Sequence, residues 1–315
     1  LRRGVSVLSP ERPSWLTLLQ PRALPIEPLP GVGGINRLLW RKITKTVDVF
    51  AAGGACILGI GKPSDLALHL MDHIRVRQSF FDAMDDFPAF YAGISRRALL
   101  KRELAIVSRV ARLLTSSTAL MQRWRCYRKD AVLALNGCDP DAFSPVGTPE
   151  GRFDANVLGY IGTIGEWFDW EIVFKLAKAE PRMNIQVIGP VVAELPDGIP
   201  RNVELLGPCR NDEAIAAMGK FSIGLIPFKQ NRLTASVDPI KYYEYRAMGL
   251  PVISTWFGEM ALRKTDPGVF LVDGRDDLQA AVDAANAYRM SASEIERFRA
   301  DHSWHARFAS AGILS

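Results

Sequence analysis

The stretch Val237–Ile253 reads VDPIKYYEYRAMGLPVI and contains a complete passage from helix to strand. Asp238 is a residue type favoured at the N-cap, and Pro239 suits the first helical position. The predicted helix runs to Gly249, because glycine commonly ends helices, and Pro251 opens the β-branched run that follows. A helix followed at once by a short apolar strand is the repeating unit of an α/β protein.

Outward from this stretch, short apolar runs alternate with helical patterns through the second half of the chain. Six strands are predicted, at Val157–Ile161, Ile185–Ile188, Val203–Leu206, Ser222–Ile226, Val252–Ser254 and Val269–Val272. Four helices are predicted, at Trp170–Glu180, Asp212–Met218, Ile240–Met248 and Asp277–Tyr288. Repeated βα units of this kind predict a doubly wound parallel sheet.

The first half shows the same alternation less clearly. Five strands are predicted, at Val47–Phe50, Ala55–Leu58, Ser79–Ala83, Leu113–Ser116 and Ala131–Leu135, with helices at Arg97–Val110 and Ala119–Cys126. Proline and glycine are frequent in residues 9–34, which predicts an irregular loop. We therefore expect an α/β protein with two Rossmann-like domains that face a cleft. The boundary is placed in the Pro/Gly-rich segment Asp139–Arg152, which gives domains 1–147 and 148–315.

Composition excludes several classes of protein. The 315 residues are 48% hydrophobic and 23% charged, which is typical of a folded globular chain and not of a disordered, collagenous or coiled-coil one. No run of about 18 apolar residues predicts a transmembrane helix. Residues 1–150 carry a net charge of +8 and residues 151–315 carry −3. The basic half indicates either an anionic partner or surface, or simply a solvated face.

Cysteine, histidine and aromatic residues narrow the function further. The four cysteines are widely spaced, which is typical of a reduced, cytoplasmic protein, and the four histidines join no metal-ligand motif. Neither a metal nor a cofactor is therefore expected. Aromatic residues are not interleaved with the basic ones, so a nucleic-acid partner is not expected.

The helix of the opening stretch offers a candidate binding site. Its N-terminus near Asp238 has free N–H groups and a positive dipole end, which favour an anion. Lys241 and Glu244 are three residues apart and share a helix face. A cation beside a phosphate and a carboxylate beside a ribose would suit a nucleotide diphosphate. From the spacing alone, a surface ion pair on a capped helix is an open alternative.

The same stretch resembles the donor-site signature of GT-B-fold glycosyltransferases, in the large group that includes family four and bacterial cell-surface enzymes. Members show a similar P-x-K-x-x-E-Y-x-A-x-G-x-P-V-V run. The resemblance implies that Glu244 hydrogen-bonds the ribose of a nucleotide sugar and that the turn at Val237, Asp238 and Pro239 holds the diphosphate. Many members carry a glutamate eight residues before the ribose-binding one, and Ser236 stands there in this chain.

Other segments carry the resemblance in the same order. Gly159–Ile164 resembles the strand and glycine loop that open the donor domain, which places Gly162 and Thr163 beside phosphate or sugar. No Arg and Lys pair follows this loop here. The remaining donor-site candidates are the cations Lys229, Arg232 and Lys241, the hydroxyl of Thr234, and Arg210 near the nucleobase.

In the first half, Phe81–Phe87 resembles acidic segments at the acceptor edge of such enzymes. Asp85 and Asp86 could hold an acceptor hydroxyl or act as a base, whereas helix capping with a solvated charge cluster is the structural alternative. Residues 301–308 resemble part of a terminal helix, about 293–315, that crosses back to the first domain. The resemblance also implies that the first domain is N-terminally truncated by roughly one βα unit, ~30 residues, because Arg3–Leu8 resembles the end of the first helix and the second strand of such enzymes.

The resemblance implies a glycosyltransferase that moves a hexose from a nucleotide diphosphate sugar to a hydroxyl acceptor with retention of configuration. Lys241, Asp85 and Asp86 are the predicted catalytic residues. The basic first domain favours a lipid-linked or polysaccharide acceptor in cell-surface polysaccharide or glycolipid synthesis, with peripheral contact to an anionic inner membrane face. Two alternatives stay open: a catalytically inactive nucleotide-sugar-binding or regulatory protein, and a GT-B-fold sugar nucleotide epimerase.

Overall fold

The computed structural model describes residues 15–24, 27, 29, 33–143 and 156–314. By contact density the chain divides into two compact units. Unit 1 takes the described residues up to Ala83 together with Phe87–Leu113, and unit 2 takes Met84–Asp86 together with the described residues from Leu114 onward. No helix in this described part is both long and apolar enough to cross a membrane.

Unit 2 contains the predicted parallel sheet of the second half. Its strands are β5 (Val157–Ile161), β6 (Asn184–Ile188), β7 (Val203–Leu205), β8 (Ile223–Ile226), β9 (Val252–Thr255) and β10 (Val269–Val272). They are hydrogen-bonded in the order β10-β9-β8-β5-β6-β7, and every pair is parallel. The connecting helices are α6 (Trp170–Ala179), α7 (Asn211–Met218), α8 (Ile240–Ala247) and α9 (Leu278–Ala287). The prediction of a doubly wound parallel sheet is confirmed.

Apolar side chains cover both faces of this sheet, which explains why its strands are continuous apolar runs. One buried cluster joins the strands to α6 and α9, and a second joins them to α7 and α8. Helix α6 is also specified by a residue next to it in the sequence. The Asp169 carboxylate accepts hydrogen bonds from the backbone N–H groups of Glu171 and Ile172 and so caps the helix.

The strand order creates a switch point beside β5. The chain runs from β5 outward through β6 and β7, then returns to place β8 on the other side of β5. At such a point the two connections leave the sheet in opposite directions and open a crevice beyond the carboxyl ends of the strands. The loop after β5 begins with Gly162, and the loop after β8 runs through residues 227–239.

The earlier part of the chain contains helices α1 (Gly33–Leu39), α2 (Arg41–Ala52), α3 (Asp65–His73), α4 (Gly93–Val107) and α5 (Thr118–Arg125). Its strands are β1 (Ile57–Ile60), β2 (Gln78–Ala83), β3 (Arg112–Thr115) and β4 (Val132–Leu133), in the sheet order β1-β2-β3-β4. The register pairs Ile57 with Gln78 and Leu114 with Val132, both in parallel.

One of the strand predictions for this part is wrong. Val47–Phe50 is not a strand but the end of α2. A short β-branched run has no periodicity of its own, and here the four-residue spacing of Trp40 and Thr44, which face the interior, decides for a helix. The prediction of an irregular segment over residues 9–34 agrees with residues 15–24, which form neither helix nor strand, but α1 already begins at Gly33. Helix α3 was not predicted as an element.

Two helices end the described chain, α10 (Ala292–Asp301) and α11 (Trp304–Ser310). The backbone N–H of Cys138 donates to the carbonyl of His302 at 2.9 Å, and the Arg299 guanidinium donates to the carbonyl of Phe143 at 3.2 Å. The C-terminal helices therefore contact the last described residues before position 144. The predicted boundary between residues 147 and 148 lies outside the described residues and stays a prediction, whereas the compact units divide at residue 113.

Candidate functional site

Helix α8 is the centre of the predicted site, and it starts at Ile240 as predicted, but with a different N-cap residue. Pro239 occupies the N-cap position with extended backbone, the helix starts at Ile240, and no side chain caps its first turn. The prediction that Asp238 is the N-cap is therefore wrong. The Asp238 side chain instead bonds to Arg263, which is distant in sequence.

The Asp238 carboxylate is fully buried and lies at the centre of a polar network in unit 2. Its Oδ1 accepts a hydrogen bond from Arg263 Nη2 at 2.7 Å, and its Oδ2 accepts from the Tyr243 hydroxyl at 2.8 Å. The backbone N–H of Asn136 also donates to Oδ2, at 2.7 Å. The Asn136 side-chain amide donates to the Asp238 carbonyl at 2.5 Å. This carboxylate is therefore saturated by the protein and is not directed at a diphosphate.

The Asp238 carboxylate shifts the pKa values of the two side chains that donate to it. Burial alone would lower the pKa of Arg263, but the adjacent Asp238 carboxylate raises it above its usual range. Burial raises the pKa of the Tyr243 hydroxyl, and the carboxylate raises it further, so the phenol stays protonated and donates. A buried ion pair of this kind is strongly destabilised if only one partner is removed.

Glu244 and Lys241 form the ion pair that their spacing predicts. Lys241 Nζ lies 2.5 Å from Glu244 Oε2, and the two side chains are 22% and 19% exposed. The pair is thus neither a freely solvated surface bridge nor a buried one. One carboxylate oxygen of Glu244 is engaged by the ammonium group, and the other is not hydrogen-bonded within the described part of the chain.

Glu244 lines an open cavity of about 120 Å³ in unit 2. Asn211, at the start of α7, and Ile240, at the start of α8, border the same cavity, as do Asp139 and Trp304. The cavity combines apolar side chains with two carboxylates, Glu244 and Asp139, and one amide, a mixture that is expected of a small-ligand site. Its volume accommodates part of a nucleotide rather than a whole one.

Ser236 and Val237 lie shortly before α8, and the loop that follows β9 packs against them. The Ser236 hydroxyl is buried and has no hydrogen-bond partner among the described residues. The Val237 carbonyl accepts a hydrogen bond from the backbone N–H of Glu259 at 3.1 Å. A side chain at Gly258, which has a φ of 41°, would place its Cβ 2.3 Å from that carbonyl oxygen. Only glycine therefore allows this close approach.

The glycine loop after β5 lies at the switch point that the observed strand order creates. The Gly162 N–H donates to the Ile188 carbonyl at 2.9 Å, and the Thr163 carbonyl accepts from the Tyr160 hydroxyl at 2.9 Å. A Cβ at Gly189 would lie 2.0 Å from the Gly162 carbonyl oxygen, so two backbones meet here without room for side chains. Both Gly162 and Thr163 are half-buried.

The other donor-site candidates divide into exposed cations and internal turn residues. Lys229 and Arg232 are exposed on the loop after β8. The Thr234 hydroxyl is buried and donates to the Lys229 carbonyl, so it stabilises the loop instead of facing a ligand. Arg210 is exposed and forms two hydrogen bonds with Asp212, at 3.0 and 2.9 Å. Its neighbour Asn211, rather than Arg210, borders the cavity of Glu244.

The predicted acidic pair of the first half is also engaged. Asp86 Oδ1 lies 2.6 Å from Arg123 Nη1, and Asp85 is half-buried. Lys241 pairs with Glu244, so two of the three predicted catalytic groups take part in separate ion pairs. Their catalytic roles stay predictions. In the described chain, no group of three or more His, Cys, Asp or Glu side chains is arranged to hold a metal ion.

Sequence reasoning missed two charged residues on the loop after β9, Glu259 and Arg263. The Glu259 carboxylate accepts hydrogen bonds from the backbone N–H and the hydroxyl of Thr118, at the start of α5. Burial raises the pKa of Glu259 above its usual value, although these hydrogen bonds oppose that shift. Their position in the sequence could have indicated a role. Both residues follow a buried strand and so lie at the carboxyl edge of the sheet, where polar side chains need hydrogen-bond partners.

Comparison with known proteins places this architecture among glycosyltransferases. TuaH of Bacillus subtilis (strain 168), which is assigned to teichuronic acid biosynthesis as a glycosyltransferase, is 26% identical over 204 residues. That match covers 56% of this chain and 50% of the relative, so the chain spans about half the length of the curated relative it matches. No family model matches the chain.

Solved structures of glycosyltransferases share the fold. The sucrose-phosphate synthase of Thermosynechococcus elongatus superposes with a TM-score of 0.61 at 16% identity, covering 93% of this chain and 81% of the other. An α-glucosyltransferase solved with UDP and DNA also gives 0.61, at 13% identity over 87% and 83% of the two chains. The glycosyltransferase AviGT4 gives 0.55 at 12% identity, covering 86% and 76%. The predicted GT-B fold and the resemblance to glycosyltransferases are confirmed.

Proposed function

We propose that this protein is a glycosyltransferase that transfers a hexose from a nucleotide diphosphate sugar to a hydroxyl acceptor, with retention of configuration. The observation that carries the proposal is the placement of Glu244, whose carboxylate borders a cavity of unit 2 one turn into the helix that follows the switch-point strand β8. A carboxylate in such a position can accept two hydrogen bonds from the vicinal hydroxyls of a ribose. The shared fold and the named activity of TuaH support the same reaction.

The catalytic contribution of the chain would be largely electrostatic. The leaving group of the reaction is a nucleoside diphosphate, whose developing charge is stabilised by fixed cations and backbone N–H groups. Lys241 is held at the start of α8 by Glu244, and Lys229 and Arg232 are exposed on the loop after β8. Because the Asp238 carboxylate is neutralised by Arg263, it does not repel an incoming phosphate. Asp85 and Asp86 remain the proposed acceptor-side groups.

We place the reaction in cell-surface polysaccharide or glycolipid synthesis, with a lipid-linked or polysaccharide acceptor and peripheral contact to the inner membrane face. Two observations support this setting. The first 150 residues carry a net charge of +8, which favours an anionic surface. The matched curated relative is assigned to the synthesis of a teichuronic acid.

The ribose assignment is tested with Glu244→Ala. Binding of UDP-, GDP- and ADP-hexoses to the full chain is measured by thermal shift, and the best ligand is then titrated calorimetrically. We expect the dissociation constant to rise at least about tenfold, because charge-assisted hydrogen bonds to the ribose are lost. Glu296→Ala, an exposed glutamate of α10, is the matched control and should leave affinity unchanged. Equal affinity in both variants would refute the assignment.

One observation favours a second candidate, a nucleotide-sugar-binding protein without transferase activity. Ser236 stands where many GT-B enzymes carry a glutamate, and its hydroxyl is buried without a partner in the described structure. Binding of a nucleotide sugar without its hydrolysis or transfer to any offered acceptor would favour this candidate. Release of nucleoside diphosphate in the presence of donor and acceptor would favour the enzyme.

A further inference from the structure

Helices α1 and α2 in unit 1 are attached to the protein along one side only. Asn36 bonds the backbone of Leu24, with its Oδ1 accepting from the N–H at 2.8 Å. Trp40 is 2% exposed, and the Thr44 hydroxyl lies 3.0 Å from His69 Nε2. These three attachment points recur every four residues and therefore lie on one side of a helical path.

The opposite side carries large apolar side chains that nothing in the described structure covers. Leu38, Val49 and Phe50 are 69, 70 and 75% exposed, and no residue of α2 is buried. Ile35 and Leu39 are 52 and 46% exposed on α1. Scattered exposed apolar residues are ordinary, but a concentration of them along two consecutive helices marks an interaction surface.

Cations accompany these apolar residues. Arg37, Arg41, Lys42 and Lys45 lie on α1 and α2, and Asp48 is the one acidic residue of the two helices, which gives a net charge of +3. All four cations are exposed, and none forms an ion pair within the described residues. Apolar side chains accompanied by unpaired cations complement a surface that is apolar inside and negatively charged outside.

An open groove of about 650 Å³ adjoins this side of the helices. It lies between the extended segment Leu19–Arg22 and residues Leu38–Thr46, and three of its lining residues are the cations Arg22, Arg41 and Lys42. A groove with an apolar floor and three cations can accept an anionic head group together with the start of its acyl chains.

We propose that this docking face, formed by Ile35, Leu38, Leu39, Lys42, Lys45, Val49 and Phe50, binds the surface of an anionic phospholipid bilayer. This proposal rests on the proposed function, because a lipid-linked acceptor would require the enzyme to bind a membrane surface. The docking face is the part of the basic first half that would make this contact. A peripheral helix of this kind lies in the plane of the interface, inserts its apolar side chains among the head groups and attracts them with its cations.

The test is flotation of the full chain with vesicles of phosphatidylglycerol and phosphatidylcholine in equal parts, compared with vesicles of phosphatidylcholine alone. We expect binding to the anionic vesicles and much weaker binding to the neutral ones, with a loss of binding at high salt. Lys42→Gln with Lys45→Gln should weaken the binding roughly 25-fold, since each cation near an anionic surface contributes about fivefold. Phe50→Ser should weaken it about tenfold.

Two control variants keep the test specific. Leu262→Ser removes an apolar side chain that is 60% exposed in unit 2, and Lys264→Gln removes an exposed cation beside it. Both should bind vesicles like the unchanged protein. The proposal is overturned if the chain binds neither vesicle, or if the controls lose as much binding as the docking-face variants. It is equally overturned if light scattering shows a dimer that the Phe50→Ser variant abolishes.

Failure of this inference is separable from failure of the proposed function. The docking-face variants should keep the melting temperature and the nucleotide-sugar affinity of the unchanged protein, because Phe50, Lys42 and Lys45 are exposed in unit 1 and Glu244 lies in unit 2. Vesicle binding without nucleotide-sugar binding would support the docking face while refuting the donor site. Nucleotide-sugar binding without vesicle binding would do the reverse.

Discussion

Helices α8 and α2 show two different ways in which this chain specifies a helix. Helix α8 buries five of its eight residues, and its preceding Asp238 is neutralised by Arg263. Helix α2 has twelve residues and buries none, although it is amphipathic and capped at neither end by a side chain. Since most helical stability in proteins comes from packing one face, the contacts within unit 2 stabilise α8, whereas the outer side of α2 is packed by nothing in the described part of the chain.

The largest expected effect concerns α8 and the buried network that precedes it. Asp238→Ala should lower the free energy of unfolding by about 3–5 kcal/mol, because it leaves the buried Arg263 guanidinium without its counter-charge. Urea unfolding followed by circular dichroism measures this. Asp212→Ala is the control, because its pair with Arg210 is 66% exposed at the aspartate and should matter by less than about 1 kcal/mol. Similar small losses in both would show that the network is not a stabilising centre.

A second prediction contrasts Asp238 with Asp82 of unit 1, a half-buried aspartate that forms no ion pair among the described residues. Burial raises the pKa of Asp82, on β2, from 3.8 to about 6. The folded state therefore binds more protons than the unfolded state between these values, so stability falls as the pH rises from about 4 to 6. The loss is up to about 3 kcal/mol and persists at higher pH, because the charged carboxylate stays buried.

Asp82→Asn should remove that loss. In urea unfolding we expect the variant to be more stable than the unchanged protein at pH 7.5, by up to about 3 kcal/mol, and nearly equal to it at pH 4. Asp48→Asn, at an exposed position of α2, should show no such gain at either pH. A gain of the same size at both values would mean that charge burial is not its cause.

The smallest expected effect concerns the exposed side of α2. Phe50→Ala should change the free energy of unfolding by less than about 0.5 kcal/mol, because the ring is 75% exposed. Trp40→Ala, ten residues earlier and 2% exposed, is the matched contrast and should cost about 3–5 kcal/mol. A large loss in Phe50→Ala would show that the outer side of α2 is packed in solution and would end the comparison.

The sequence predicts strands correctly where burial on both faces of the sheet leaves a continuous apolar run. Strands β5 and β10 match their predicted bounds, because each is a continuous apolar run enclosed by turn residues. It failed at Val47–Phe50, where a short β-branched run is compatible with either a strand or a helix. The apolar run itself identifies the strand in the first case, whereas attachment to α3 decides the second.

The candidate site was predictable in its residue types but not in their partners. The pairing of Lys241 with Glu244 follows from a spacing of three along one helix. The fate of Asp238 does not, because N-cap preference and a buried ion pair favour the same residue type. Arg263, the deciding partner, stands 25 residues away and becomes visible only when β9 brings its loop back to α8.

The hydrogen bonds that tie residues 136–143 to α8 and the C-terminal helices determine where this chain can be recombined. Asn136 is bonded to Asp238, and Cys138 to His302, so the short segment after β4 belongs energetically with unit 2. A chimera that replaces the first half of the chain should therefore join the parental sequences near residue 113. A junction within the glycine- and proline-rich residues 139–152 would instead take Asn136, one of the three donors to the Asp238 carboxylate, from a different parent than Asp238.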